Sequence, residues 1–431
     1  MQQNNSNPRI FFGWYIVAGS VITNAILSAA YFQGFNAFIL PIESHFGWSR
    51  SVISGAMSLR QLESGIISPV VGFLLDKIRP RTLLFWSAIT TGIGLISLGL
   101  INGIVTFYLA IFVVSIGTSG MSHAVTWPVV IARWFRKKLG LATGIAVMGP
   151  IFGSPFVILN TSLEETFGWR SILIGYGIIV LIFLTLISAI ARERPEKYGL
   201  LPDGEHSQEL SNYSTNNPSK TIEHGMRLGE AARTLEFWLF TGYLSGMFMV
   251  NSAFQVHLIP YFIQDVGLTA KSAAVIFTLV FTLSGVGRMG AGYMLDKADY
   301  RLVLCTVAAF MGLAFIYLQL VTVSSILMAA PFIILFGVGF GSIIPMRGTL
   351  GSMMFGTKSL GSIVGVLQGG AVAAGVIGPI FMGVIFDIDG RYFLSIWGLV
   401  AVCVIMIPLS FLMKSHSKLQ IRLATVMNTD G

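Results

Sequence analysis

Arg288 is the only cation inside an apolar run that closes with "GVGRMGAGYMLDK", Gly285 to Lys297. A guanidinium stays ionised and presents a planar fork of donors that fits a carboxylate through two hydrogen bonds. Arg288 lies eight residues before Asp296, about 12 Å from the end of the run at 1.5 Å per residue. That is close to the middle of a hydrocarbon layer roughly 30 Å thick, where an arginine costs at least about 2.5–3.5 kcal/mol. Such a residue needs a partner. The positions one turn away are Ser284 and Gly292, and the later apolar runs hold no acidic residue well inside them. A bound anion is therefore the natural partner, with backbone carbonyls or a group from another part of the chain as the alternative.

A second intramembrane arginine, Arg60, has Glu63 three residues on, where opposite charges on a helix can pair. This predicts an internal ion pair; the sharper reading makes Glu63 a proton carrier. Other positions suit a cavity wall. Asn24, Ser28, Tyr31, Phe35 and Phe38 recur every three or four residues, and His123, Trp127, Asn251, Gln255, His257 and Gln368 fall inside later runs. His123 and His257 could titrate near neutral pH. One cation, few amides and much aromatic surface suit a small organic anion with an apolar body better than a sugar.

The elements that must position these residues are membrane helices. The chain has 431 residues, 54% hydrophobic and only 11% charged, with mean hydropathy +0.77, against about 25% charged in a soluble domain. Apolar runs of roughly 20 residues recur throughout, and the short alternating segments of a porin-like barrel are not seen. Twelve spans are expected, making an all-α membrane protein of two pseudo-symmetric six-helix bundles: 1–191, then 235–413, joined by a solvated polar linker at 192–234 and followed by a tail at 414–431. Lysine and arginine then set orientation. With both termini cytoplasmic, 21 basic residues, Arg347 among them, fall on the inner side and four outside. This scatter over loop ends accounts for the +8 charge without nucleic acid. Cys305 and Cys403 lie in separate runs with no second ligand near either, and "NTS" at Asn160 matches a glycosylation acceptor.

The halves repeat. "GFLLDKIRPR", Gly72 to Arg81, matches "GYMLDKADYR", Gly292 to Arg301, at an offset of 220, and "WFRKKLGLATG" at Trp134 matches "MFGTKSLGSIVG" at Met354. At that offset Ser68 stands opposite Arg288. Parallel repeats imply a twofold axis along the membrane normal, with a binding site between the halves. A Gly-x-x-x-Asp-Lys motif after the second and eighth spans resembles the major facilitator superfamily. The resemblance assigns a gate on the cytoplasmic side to Asp76, Lys77, Arg81, Asp296, Lys297 and Arg301. Within it, "FGWYIV" at Phe12, "FGWSRS" at Phe46, "VHLIPYFIQDVGL" at Val256 and Arg288 resemble the monocarboxylate transporter branch and its bacterial oxalate–formate relatives. That resemblance gives Arg288 the substrate carboxylate. The chain departs from the pattern at Ser284, where animal members place an Asp, at Asn36, where they place a Lys, and in lacking a lysine between Gly361 and Phe386.

The expected function is secondary transport of a small monocarboxylate, lactate- or pyruvate-like, by alternating access in the cell membrane. Arg288 grips the carboxylate; Tyr31, Phe35 and Trp127 contact the apolar body, with His123, Asn251, Gln255, Ser284 and Gln368 lining the site. Proton coupling falls to His123, His257 or Glu63. Balancing one carboxylate against one arginine favours a monoanion. An exchanger of the oxalate–formate type, an efflux carrier and a non-transporting anion sensor are the rivals. No cofactor is expected and an enzyme is disfavoured, because the chain shows no nucleotide-binding loop, metal-spaced set or nucleophile–base pair. The partners implied are the organic anion, a proton and membrane lipid.

Overall fold

The first apolar run does not form one continuous helix. In the computed structural model, α1 (Gly13–Leu27) passes into a π-helical turn at Ser28–Phe32 and a 3-10 stretch at Gly34–Phe38 before α2 (Ile39–Phe46). Such irregular backbone is tolerated at membrane depth only where its polar groups are answered from within the protein. Here Asn160 answers them: its Nδ2 donates to the carbonyls of Ala29 (3.0 Å) and Gly34 (3.4 Å), and its Oδ1 accepts from the Tyr176 hydroxyl (2.6 Å). Asn160 is fully buried, so the "NTS" triplet is a packing element and not an exposed acceptor.

The structure describes residues 11–48, 50–121, 124–153, 155–198, 200–204, 225–320 and 325–414, which are helical almost throughout. The first half continues through α3 (Arg50–Lys77), α4 (Pro80–Gly99), α5 (Ile104–Gly120), α6 (Thr126–Trp134), α7 (Leu139–Ala146), α8 (Gly149–Gly153), α9 (Phe156–Ile179) and α10 (Thr185–Ser188). After the short α11 (Leu228–Ala231) the second half is regular: α12 (Leu235–Gln264), α13 (Ala270–Lys297), α14 (Tyr300–Leu320), α15 (Ala330–Phe355), α16 (Leu360–Asp389) and α17 (Phe393–Leu412). Eight segments among the described residues are long and apolar enough to cross a membrane, while α3 and α12 are of spanning length at 28 and 30 residues. Gly168, at φ 73° and ψ 151°, breaks α9 between the expected fifth and sixth spans, in a region of backbone space open to few residues but glycine. Buried apolar side chains gather into two clusters, one in each half, and the first also takes in Leu360 and Val364 from α16.

The two repeated loops join the halves. Asp76 at the end of α3 accepts from the Gly361 and Ser362 backbone N–H groups (2.9 and 2.8 Å) and from the Ser362 hydroxyl (2.6 Å). Asp296 at the end of α13 accepts from Gly140 and Leu141 N–H (2.6 and 2.9 Å). Each carboxylate thus caps the first turn of a helix in the opposite half, where free N–H groups and the helix dipole favour a negative charge. Glycine permits the approach: a Cβ on Gly72 would overlap the Gly361 carbonyl, and one on Gly292 the Gly140 carbonyl. The basic members of the motif do not cross between halves. Lys77 lies 4.1 Å from its own helix's Phe73 ring, Arg301 pairs locally with Asp299 at 2.8 Å, and Arg81 and Lys297 are exposed.

The linker is not a free tether at its ends. The Asp203 carboxylate accepts from three successive backbone N–H groups, Arg136 and Lys137 (2.8 Å each) and Lys138 (3.3 Å). Arg192 lies over the Phe12 and Tyr198 rings, and Met226 N–H donates to the Phe355 carbonyl (2.8 Å). Residues 205–224 fall outside the described residues.

Replacing one latch carboxylate by its amide, Asp296→Asn, removes charge-assisted hydrogen bonds and weakens the contact by about 1–2 kcal/mol. The motif-bearing end then opens in roughly a five- to thirtyfold larger fraction of molecules. Spin-label distances between the start of α7 and the end of α13 would report it. An unchanged distribution in Asp76→Asn/Asp296→Asn would show that the carboxylates do not hold the halves together.

Candidate functional site

Arg288 is 3% exposed, on the face of α13 that meets α7 of the other half. A Cβ on Gly144 would overlap the Arg288 carbonyl, so the two backbones touch at this level. Its Nη1 donates to the Val147 carbonyl. That carbonyl is available for a sequence reason: α7 stops at Ala146, Pro150 has no N–H, and Ile151 N–H donates to Met148 instead. A cation at a helix C-terminus is also favoured by the dipole. The alternative expectation, a backbone carbonyl of the opposite half, is thus met for one donor of the five a guanidinium carries. Nε remains buried with no partner.

Unpartnered buried polar atoms recur in both halves, on α3, α6 and α16 where the halves meet and on α12, which packs against α16. They include Trp127 Nε1 on α6, Asn251 Oδ1 on α12, Gln368 Oε1 on α16, and both carboxyl oxygens of Glu63 on α3. Most buried polar groups in a folded protein are hydrogen-bonded, so a set of exceptions at one seam marks a place where a ligand or water completes the bonding. Tyr31 and Phe35 are fully buried beside it, with the Tyr31 hydroxyl 3.0 Å from Ser115 Oγ.

The expected Arg60–Glu63 pair does not form. The Arg60 guanidinium lies over the Tyr31 and Phe32 rings, 5.2 and 6.0 Å from their centroids, and the Glu63 carboxyl is buried at 5% exposure without a hydrogen-bond partner. A cation–π contact keeps Arg60 solvated by ring faces.

Two further expectations change. Ser284 donates to the Phe281 carbonyl of its own helix at 2.6 Å and is fully buried where α13 packs on α15, so its hydroxyl is already used. His257 is held at both ring nitrogens, by the Tyr392 hydroxyl and the Pro379 carbonyl at 3.0 Å each. Tyr392 N–H in turn donates to Asp265 (2.7 Å), whose carboxyl is pushed upward by burial while that hydrogen bond opposes the shift. His257 therefore belongs to a bracing network in the second half. Gln255 is half-buried on α12; His123 lies outside the described residues.

The largest departure is Arg347. Counted in the sequence as a residue of the inner edge, it lies in α15, eight residues before the helix ends at Phe355, and is only 3% exposed. Its Nη1 is buried without a partner and its guanidinium carbon is 5.7 Å from the Phe248 ring centroid. The repeat held the signal: the offset that places Trp134 opposite Met354 places Trp127 opposite Arg347.

Two helical halves joined through a repeated carboxylate motif, with incompletely bonded buried arginines in the second, are the arrangement of a membrane transporter. The chain belongs to the Major Facilitator Superfamily, whose sequence profile matches residues 21–379 and 258–424. It is 25% identical over 397 residues to monocarboxylate transporter 2 of Rattus norvegicus, covering 88% of this chain and 78% of that one. It is 24% identical over 415 residues to the uncharacterized MFS-type transporter YcxA of Bacillus subtilis (strain 168), covering 94% of each. The transporter FucP, solved in the outward conformation, superposes with a TM-score of 0.66 at 15% identity over 94% of this chain and 98% of that one.

Glu63→Gln should change the unfolding free energy by less than about 1 kcal/mol, because the isosteric amide keeps the place of the carboxyl beside Ser115 and no ion pair is broken. Thermal denaturation of the purified protein checks this. A loss of about 3–5 kcal/mol would reveal a buried ion pair after all.

Proposed function

We propose that this chain is a twelve-span secondary active transporter of small organic anions, lactate- or pyruvate-like, working by alternating access with both termini cytoplasmic. The observation that carries the reading is Arg288: a buried guanidinium between the halves with a donor still open and no carboxylate inside the spans of its own half. The likeness to a monocarboxylate transporter supports the same class of cargo. An empty, dry site would strand the cation, so closure around it is favoured only when an anion neutralises it. That ties movement of the halves to cargo binding.

Glu63 is the proton site in this reading. A buried carboxyl with no hydrogen-bond partner is costly as an anion, and Glu63 faces the first-half aromatic wall near Tyr31. The latches at Asp76 and Asp296 hold the cytoplasmic end shut while the site is open to the other side.

Proteoliposome uptake of labelled lactate and pyruvate tests the reading. Wild type should accumulate at least one of them under an inward proton gradient, Arg288→Gln should lose uptake by a hundredfold or more, and Glu63→Gln should lose gradient-driven accumulation but keep exchange. Uptake that survives in Arg288→Gln would make the arginine structural. A flat rate across an imposed gradient would remove proton coupling.

A further inference from the structure

Arg347 sits about one helical turn from the level of Arg288. Helices α13 and α15 run in the same sense and touch along their length: a Cβ on Gly341 would overlap the Ser284 carbonyl, and the Ser342 hydroxyl donates to the Gly287 carbonyl (3.2 Å). The Ser342–Gly287 bond puts residue 343 level with Arg288, and Arg347 lies four residues, about 6 Å, further along. Next to it, a Cβ on Gly348 would overlap Pro128 of α6, so this stretch of α15 abuts the first half as the Arg288 stretch of α13 does. Its counterpart in the repeat is Trp127, itself a residue of the seam with an unpartnered Nε1.

The second half therefore carries two mid-span guanidiniums against the other half. The acidic residues of 235–414 are Glu236, Asp265, Asp296, Asp299, Asp387 and Asp389, all at or near helix ends. Phe248 offers Arg347 a ring face but no acceptor for Nη1, and Asn251, one turn along the same helix, holds an unpartnered Oδ1. Arg288 and Arg347 each keep a donor without an acceptor, and Asn251 keeps an acceptor without a donor.

Resting on the reading of Arg288 as the carboxylate anchor, we infer that Arg347 is a second anion contact and that the site takes short dicarboxylates, one carboxylate on each arginine. A monoanion leaves one of the two buried cations uncompensated, whereas a dianion neutralises both. The count of one arginine, which favoured a monoanion, is replaced by a count of two.

The test is competition against labelled lactate uptake in proteoliposomes. Malonate and succinate are compared with propionate and butyrate, acids of equal carbon number, in wild type and Arg347→Gln. In wild type each dicarboxylate should compete at a concentration at least tenfold lower than its monocarboxylate match. In Arg347→Gln that advantage should vanish. Thermal shift in detergent gives a second readout: malonate should raise the melting temperature of wild type and of Arg347→Lys, which keeps the charge, but not of Arg347→Gln. Lactate uptake without a dicarboxylate advantage overturns the inference and leaves the transporter reading standing. An advantage that persists in Arg347→Gln also overturns it. Loss of all lactate competition and uptake in wild type would defeat the Arg288 reading, and the malonate thermal shift would still decide the role of Arg347. Should Arg347→Gln not fold, the wild-type competition and the malonate shift of Arg347→Lys distinguish the same two outcomes.

Discussion

A guanidinium enclosed among apolar helices without a carboxylate partner is the constraint around which this molecule is organised. It is costly wherever it is placed in the hydrocarbon depth, and the end of one neighbouring helix answers part of that cost. Helix α7 ends after eight residues, and Pro150 leaves the Val147 carbonyl open toward Arg288. One donor is satisfied in this way, and Nε is left without a partner. Partial satisfaction of this kind suits a carrier: a fully bonded arginine would have nothing to offer an anion, and a fully bare one would destabilise the closed form.

The latches follow from the same need. If the halves must come together only around a neutralised site, the contacts between them must be specific yet reversible. A carboxylate capping the N-terminus of a helix in the other half meets both needs, because its bonds are directional and each is modest in net free energy. Glycine pairs at Gly72–Gly361 and Gly140–Gly292 bring the backbones close enough for the caps to form. The symmetry is close at the latches and broken at mid-depth, where Ser68 and Trp127 face Arg288 and Arg347 in the repeat. The first half supplies ring faces, Arg60, the buried Glu63 and Asn160 bracing; the second supplies the deeply buried Arg288 and Arg347.

The sequence by itself determined the membrane class, the paired halves and the repeated motif, since hydropathy, charge asymmetry and an internal offset of 220 are properties of the chain read linearly. It also identified Arg288, Glu63, Trp127, Asn251 and Gln368, because a polar residue inside an apolar run is conspicuous whatever the fold. Only the tertiary structure decided what those residues touch. The spacing of Arg60 and Glu63 allowed a pair, but the Tyr31 and Phe32 rings took the arginine. His257 looked available until Tyr392 and Pro379 occupied its ring nitrogens, and Ser284 until its own helix took the hydroxyl. Arg347 stood so near the end of its run that linear distance placed it at the edge. Helix α15 extends eight residues past it, and burial is a property of the neighbours that surround a residue, which the order of residues along the chain does not specify.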